Sequence, residues 1–259
     1  MKKLLAVLTA AGLTAAMLAG CGAPAKEANT GNVTDKKWVI ATDTVFKPFE
    51  YTDANGDFVG IDVDIVAAIA EDQGFEYEMN SLGWDASIAA CQAGQADGMI
   101  AGASITDERK ESGWIFSDGY YDATQSIAVA ADSTIAGFAD LSGKSVAVKT
   151  GTQGAAYAES LKDQYGFSLT YFEDSPTMYQ AVAGGQAVAC FEDTPIMASS
   201  IKDGELALKV VEGTENEGNP YGFAIFNADN QELIDMFNAG LANIKANGVY
   251  DEILAKYLG

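Results

Sequence analysis

The hydrophobic positions of this chain change period repeatedly. Trp38-Val39-Ile40-Ala41, Ser145-Val146-Ala147-Val148, Leu169 to Phe172 and Ala187 to Phe191 are short apolar runs that predict buried strands. Between them, apolar residues recur at helical spacing. Ile61, Ile65, Ala68 and Ile69 make one stripe, with Asp62 and Asp64 as helix-start acids and Gly74 past the last turn. Asp85 to Ala93 predicts a second helix, and Gln153 to Tyr165 a third, closed by Gly166. Ser175-Pro176 opens a fourth, with Ser175 as N-cap and a first-turn proline. Leu233, Met236, Phe237, Leu241 and Ile244 form a core-facing stripe, followed by Gly248 and a short closing helix with Ile253 and Leu254.

Phe49 to Gly60 predicts a hairpin around Asn55-Gly56. Asp53-Ala54-Asn55-Gly56-Asp57 resembles the start of a calcium loop, but its Gly is misplaced and no bidentate Glu follows, so the turn reading wins. Strands alternating with helices predict an α/β fold. Ala93-Gly94-Gln95-Ala96-Asp97 echoes Gly184-Gly185-Gln186-Ala187-Val188, as two similar αβ lobes would produce.

The N-terminus changes the picture. Lys2 and Lys3 precede an apolar run from Leu4 to Leu18, too short for a comfortable membrane span and typical of a secretory signal. Leu18-Ala19-Gly20-Cys21 resembles a lipobox, which implies a signal peptide over 1–20 and lipid on the Cys21 thiol. Residues 21–37 then form the lipidated cysteine and a polar tether, leaving about 220 residues for the fold.

Charge excludes some partners. With 15 basic and 37 acidic residues, losing Lys2 and Lys3 moves the formal balance from −22 to −24, a surface that repels nucleic acid. The absence of histidine removes His-based triads and the common zinc sites. Cys91 on a predicted helix and Cys190 in a predicted strand are read as unbridged buried thiols. No cofactor and no metal is expected.

Candidate chemistry concentrates in Met99 to Arg109. A short buried strand runs into the small residues of Ala101-Gly102-Ala103-Ser104, then a helix with Thr106 as N-cap. Gly102 and Ser104 predict outward N–H groups, and Arg109 a fork of donors one turn into the helix. Together they describe a carboxylate receptor.

The flanking strings extend this. Ala41-Thr42-Asp43-Thr44 with Pro48-Phe49-Glu50, Gly60-Ile61-Asp62-Val63-Asp64, Asp97-Gly98, Phe116-Ser117-Asp118-Gly119-Tyr120-Tyr121, Ala147-Val148-Lys149-Thr150-Gly151-Thr152, Asp193-Thr194-Pro195 and Tyr221-Gly222 stand in order along the chain. In that order they resemble the amino-acid-binding family of ABC-transporter substrate-binding proteins, nearest to its glutamine-binding members, over about Trp38 to Gly259. The resemblance implies a periplasmic-binding-protein-like fold of two αβ lobes in the Venus-flytrap manner. Residues 38–121 plus 222–259 would form lobe 1 and 122–221 lobe 2. The hinge would be the two crossings near Tyr120 to Thr124 and Glu217 to Tyr221.

A free amino acid carries a carboxylate and an ammonium, and burying both is costly unless each meets a partner. Arg109 with Gly102 and Ser104 is the carboxylate site, to which the resemblance adds backbone N–H groups at Thr152 and Gln153. Asp193 ends a predicted strand; by sequence alone it serves nearly as well as an N-cap before Pro195, and the resemblance makes it the ammonium partner. The resemblance also implies Phe46 and Trp84 as aromatic walls, and Asp43 with Lys149 as acceptor and donor for a carboxamide. Departures from the family pattern are Glu192 where histidine is usual, Gln153, Ser104 and Trp84 in place of the familiar residues, and one extra residue between Arg109 and Phe116. If Glu192 faces the pocket, it favours a cationic amino acid.

The expectation is a non-enzymatic, monomeric receptor, anchored outside the cytoplasm through lipid on Cys21. It would deliver a free polar L-amino acid, glutamine first, to the permease and ATPase of an importer. A binder of arginine or lysine is the alternative within the class. A dehydratase-like enzyme with Glu192 as its acid is the alternative outside it.

Overall fold

The protein is described by a computed structural model covering residues 36–202 and 206–259. The signal segment, Cys21 and all of the tether except Lys36 and Lys37 lie outside the described residues.

The elements in chain order are β1 (Lys37–Thr42), β2 (Tyr51–Thr52), β3 (Phe58–Val59), α1 (Ile61–Gln73), β4 (Glu76–Ser81), α2 (Trp84–Gln92), β5 (Gly98–Met99), α3 (Asp107–Glu111), β6 (Ile115–Phe116) and β7 (Tyr121–Ala123). They continue with β8 (Gln125–Ala130), β9 (Ser145–Lys149), α4 (Gln153–Tyr165), β10 (Ser168–Phe172), α5 (Ser175–Ala183), β11 (Ala189–Asp193) and α6 (Thr194–Lys202). Last come β12 (Leu208–Val210), β13 (Asn219–Tyr221), β14 (Ala224–Ile225), α7 (Gln231–Asn247) and α8 (Val249–Leu258).

Two five-stranded sheets organise these elements into two lobes, ordered β4-β1-β5-β14-β6 and β10-β9-β11-β8-β12. In each, the first three strands are parallel and the remaining pairings antiparallel. The chain passes between the sheets at β7 and β13, which pair antiparallel. The echoed strings are one structural feature used twice. Gly94 and Gly185 follow α2 and α5 with positive φ, and the next residues repeat the same bonds: Gln95 N–H to Ala90 O and Gln186 N–H to Ala181 O, both 2.8 Å.

The apolar stripes fill the cores as their spacing predicts. In the first lobe α1 packs against the C-terminal helices α7 and α8, with Ile61, Ile65, Val66 and Ile69 in one core with Phe237, Leu241 and Ile244. In the second, α4 buries Ala155 and Ala158 over Val146, Val148 and Phe191. Gly74 and Gly166 end α1 and α4 in the left-handed conformation.

One local expectation is corrected. Asp174, not Ser175, caps α5, its side chain accepting from the Thr177 N–H at 2.7 Å. A carboxylate one residue upstream takes the cap and leaves the Ser175 hydroxyl for another bond. Asp62 stands in the first turn of α1 as expected, and is fully buried beneath the Gly102 loop. Cys91 and Cys190 are buried free thiols.

Candidate amino-acid site between the lobes

Strand ends carry the site. β1 and β9 both stop at the same edge of their sheets, and the residues there, Asp43 and Lys149, meet across the lobes at 2.5 Å. Both are buried. Burial pulls the Lys149 ammonium down, but Asp43 and Glu192 outweigh it, so the amine ends above its usual range.

From the first lobe, Thr106 caps the five-residue α3 and places Arg109 on its inner side. The guanidinium lies 5.1 Å from the Trp84 ring and 5.0 Å from the Trp114 ring. It donates to Ser104 O at 2.9 Å and, across the lobes, to Gly151 O at 3.2 Å. An arginine has five N–H donors, so this framing fixes its plane and leaves donors for a further acceptor. Burial lowers Arg109 to about 10, still protonated at neutral pH. Trp114 carried no sequence signal beyond its place after Gly113.

The Gly102 amide is a correction. It does not point at the cleft; it donates to Asp62 Oδ2 at 3.1 Å, and the Tyr120 hydroxyl donates to the same oxygen at 2.9 Å. Gly102 is required here for another reason: its φ is +55°, and a Cβ would stand 2.4 Å from the Phe46 ring. Behind Asp62, both oxygens of buried Glu50 and Oδ1 of Asp62 have no other donor. Burial, helped by the neighbouring Asp62 charge, drives Glu50 well above its ordinary value, and burial raises Asp62 to about 7.

From the second lobe, Asp193 ends β11, directly before Thr194 begins α6. Gln125 Nε2 donates to its Oδ1 and the Tyr221 hydroxyl to its Oδ2, both at 2.5 Å. Burial raises Asp193, and those two donors and Arg109 act against that rise. Glu192 is buried beside it. Its Oε1 accepts the Asp193 N–H at 3.0 Å, and its Oε2 accepts from Ser175 Oγ at 2.6 Å and Tyr179 OH at 3.5 Å. Thr152 caps α4, its hydroxyl accepting from the Ala155 N–H at 3.3 Å.

One cavity is lined by all eleven residues singled out in the sequence: Asp43, Phe46, Trp84, Gly102, Ser104, Arg109, Lys149, Thr152, Gln153, Glu192 and Asp193, with Ala101. Its space open to a water centre is about 20 Å³, enough for roughly one water. The lobes are therefore shut on each other, held by the Asp43–Lys149 and Arg109–Gly151 contacts. A larger groove of about 590 Å³ runs outside, between the β2–β3 hairpin and α5; it includes Ser175 and Tyr179 and none of the eleven. Residues 53–57 of that hairpin are a self-bonded turn in which Asp53 accepts the Asn55 and Asp57 amides.

Gln125, Tyr221, Ser175, Tyr179 and Asp62 hold the lining in place and were missed as site residues. Each meets its partner from a distant part of the chain, which local spacing does not register.

The chain is similar to known proteins along most of its length. The chain is 31% identical to the arginine-binding extracellular protein ArtP of Bacillus subtilis, over 99% of this chain and 98% of that one. It is similar to substrate-binding domain 2 of Lactococcus lactis GlnP in an open conformation, at 39% identity and a TM-score of 0.61, covering 88% of this chain and 98% of that one. An ancestral arginine-binding protein bound to glutamine matches at 32% identity with a TM-score of 0.78, over 86% and 98%. The open structure is the more identical of the two and superposes less well than the glutamine-bound one. Residues 38–259 match the family model, and the chain belongs to the bacterial extracellular solute-binding proteins, family 3.

Proposed function

We propose that this protein captures a free polar or basic L-amino acid between its lobes and delivers it to the permease and ATPase of an ABC importer. One observation carries the reading: Arg109 of the first lobe and Asp193 of the second line the same cavity. A cation and an anion on opposite walls match the carboxylate and ammonium of an amino acid. A ligand gains both contacts only when the lobes are together, so it drives closure about β7 and β13. Relatives named for arginine and a structure holding glutamine support this ligand class.

Phe46 and Trp84 then flank the ligand's stem, while Thr152 and Gln153 offer amides to its carboxylate. Asp43 and Lys149 present one acceptor and one donor, the complement of a carboxamide, which keeps glutamine first. Glu192 adds an acid to the same wall and brings in arginine and lysine. Cys21 carries the lipid that anchors the protein outside the cytoplasm. The site is read as binding rather than catalysing, since its Arg109 and Asp193 match the two fixed charges of an amino acid.

A thermal-shift screen of the twenty amino acids tests the class. Arg109→Ala is expected to remove about 3–5 kcal/mol of binding, because the ligand carboxylate loses its buried partner. Calorimetry showing near-native affinity in that variant would falsify the carboxylate assignment. Small-angle scattering should report a smaller radius of gyration with ligand.

A further inference from the structure

We propose that Glu192 selects between two ligand classes by holding or giving up one proton: with the proton on Oε2 the cavity takes a neutral carboxamide amino acid, and without it a basic one. This rests on the amino-acid-binding reading above.

The argument begins with charge. Asp43, Glu192 and Asp193 line the cavity against Arg109 and Lys149. An amino acid's carboxylate and ammonium answer Arg109 and Asp193, leaving Asp43, Lys149 and Glu192 at the side-chain end. Asp43 and Lys149 cancel at 2.5 Å. An ionised Glu192 then leaves one unmatched negative charge, which a guanidinium or ammonium neutralises. A protonated Glu192 leaves no net charge, and a carboxamide enters without a desolvated charge beside it.

The hydrogen bonds around Glu192 suit both states. Its Oε1 accepts a backbone N–H, that of Asp193, which cannot reverse. Its Oε2 meets only hydroxyls, of Ser175 at 2.6 Å and Tyr179 at 3.5 Å. A hydroxyl donates to a carboxylate or accepts from a carboxylic acid with the same heavy-atom geometry. The proton therefore has a defined seat on Oε2, and adding it breaks no bond. Asp174 keeps Ser175 available by taking the helix cap itself.

Lys149, two tyrosines and a cysteine near Glu192 keep their charge state through neutral pH. Lys149 on β9 remains charged, raised by its acids. Tyr179 on α5, Tyr221 on β13 and Cys190 on β11 are all pushed up by burial and stay neutral. Asp193 is held by Gln125 and Tyr221, and Asp43 faces from the first lobe through Lys149. Burial and the Asp193 charge push Glu192 itself up to about 7. A basic ligand must expel the proton below that pH, so its affinity falls as pH drops. A carboxamide ligand must bring the proton in above it, so its affinity falls as pH rises.

The test is a competition titration of L-arginine against L-glutamine with the full chain at pH 6, 7 and 8. The arginine-to-glutamine affinity ratio should rise about tenfold per pH unit in the wild type and stay flat in Glu192→Gln. Calorimetry at pH 7 in buffers of different ionisation enthalpy should show proton release with arginine and uptake with glutamine; if only one of them binds, the sign of its exchange decides. Ser175→Ala, which removes a donor to the carboxylate, should move the midpoint of the profile upward and covers the case in which Glu192→Gln does not fold. A flat wild-type ratio, or a slope that survives Glu192→Gln, overturns the proposal. Failure of both amino acids to bind at every pH overturns the amino-acid reading beneath it.

Discussion

The two lobes are one scaffold carrying opposite chemistry. With Gly94 and Gly185 aligned, the strand registers match: Ile40 pairs with Gly98 as Val146 pairs with Ala189. Counting along from there, Asp43 and Lys149 occupy the same place in their lobes, so the bond that shuts the cleft joins equivalent positions with opposite charges. Ala101-Gly102 correspond to Glu192-Asp193, and Trp84 at the start of α2 corresponds to Ser175 at the start of α5. Where the first lobe supplies space and an aromatic wall, the second supplies two acids and the hydroxyl that holds one of them. The cation that balances them, Arg109, comes from α3 in the first lobe. The comparison teaches that neither lobe is a site. Each presents charge that only the other one answers.

The largest effect that would break this comparison lies at the second residue of α1 and α4. Both helices are thirteen residues long, yet Asp62 stands where α4 has Gly154. Gly154 lets α4 sit directly on its strand, since a Cβ there would be 2.8 Å from Phe191 O. The first lobe fills the corresponding gap with a buried carboxylate that accepts from Gly102 and Tyr120. Asp62→Ala orphans both donors and should cost about 2–5 kcal/mol in urea unfolding. Asp62→Asn keeps the acceptor and gives Glu50 a donor. Its effect should depend on pH, with a sign that follows from Asp62 being raised to about 7 in the fold. A raised carboxyl stabilises the fold below its unfolded value near 4, and that gain is lost as pH climbs toward 7. Asp62→Asn should therefore compare better with the wild type at pH 8 than at pH 5. A loss under about 1 kcal/mol for Asp62→Ala would mean that the Gly102 loop is held by other contacts.

What could be read in advance follows from the range of each interaction. Caps, stripes and turns act within a few residues, and Gly74, Gly166, the Asn55-Gly56 hairpin and the α7 stripe were all legible. The lining residues were legible because loops at strand ends carry them in recognisable strings. Their supports were not. Gln125 reaches Asp193 from β8, Tyr221 reaches it from the second crossing, and Trp114 backs Arg109 from beyond α3. Ser175 was assigned the wrong local role because Asp174 competes for the same cap. Asp62 looked like an ordinary helix-start acid because its burial depends on a loop forty residues away.

A smaller effect would sharpen the comparison on the outer faces of α1 and α4. α7 and α8 cover α1, and Gly240 of α7 packs so tightly that a Cβ would be 2.7 Å from Ile69 Cγ2. Gly240→Ala should cost about 1–3 kcal/mol by overpacking. α4 has exposed positions on its far side, and Gln164→Ala there should stay within about 0.5 kcal/mol. Parallel urea titrations check both, and equal effects would mean that the two helices are not covered so differently.

The smallest effect concerns the equivalent caps of α2 and α5. Gly83 gives α2 no side-chain cap, whereas Asp174 caps α5. Asp174→Ala should cost about 1 kcal/mol, an ordinary cap loss. The more telling readout is the pH profile of ligand choice. With Asp174 gone, the Ser175 hydroxyl faces two claims, the open helix end and Glu192 Oε2 at 2.6 Å. A charged acceptor binds a hydroxyl more strongly than a helix amide does, so Ser175 should stay with Glu192. The expected result is a stability loss of that size with the profile unmoved. A profile shifted upward with stability nearly restored would show Ser175 drawn into the cap, and would reassign the difference between the lobes from the acid to the helix end that frees its donor.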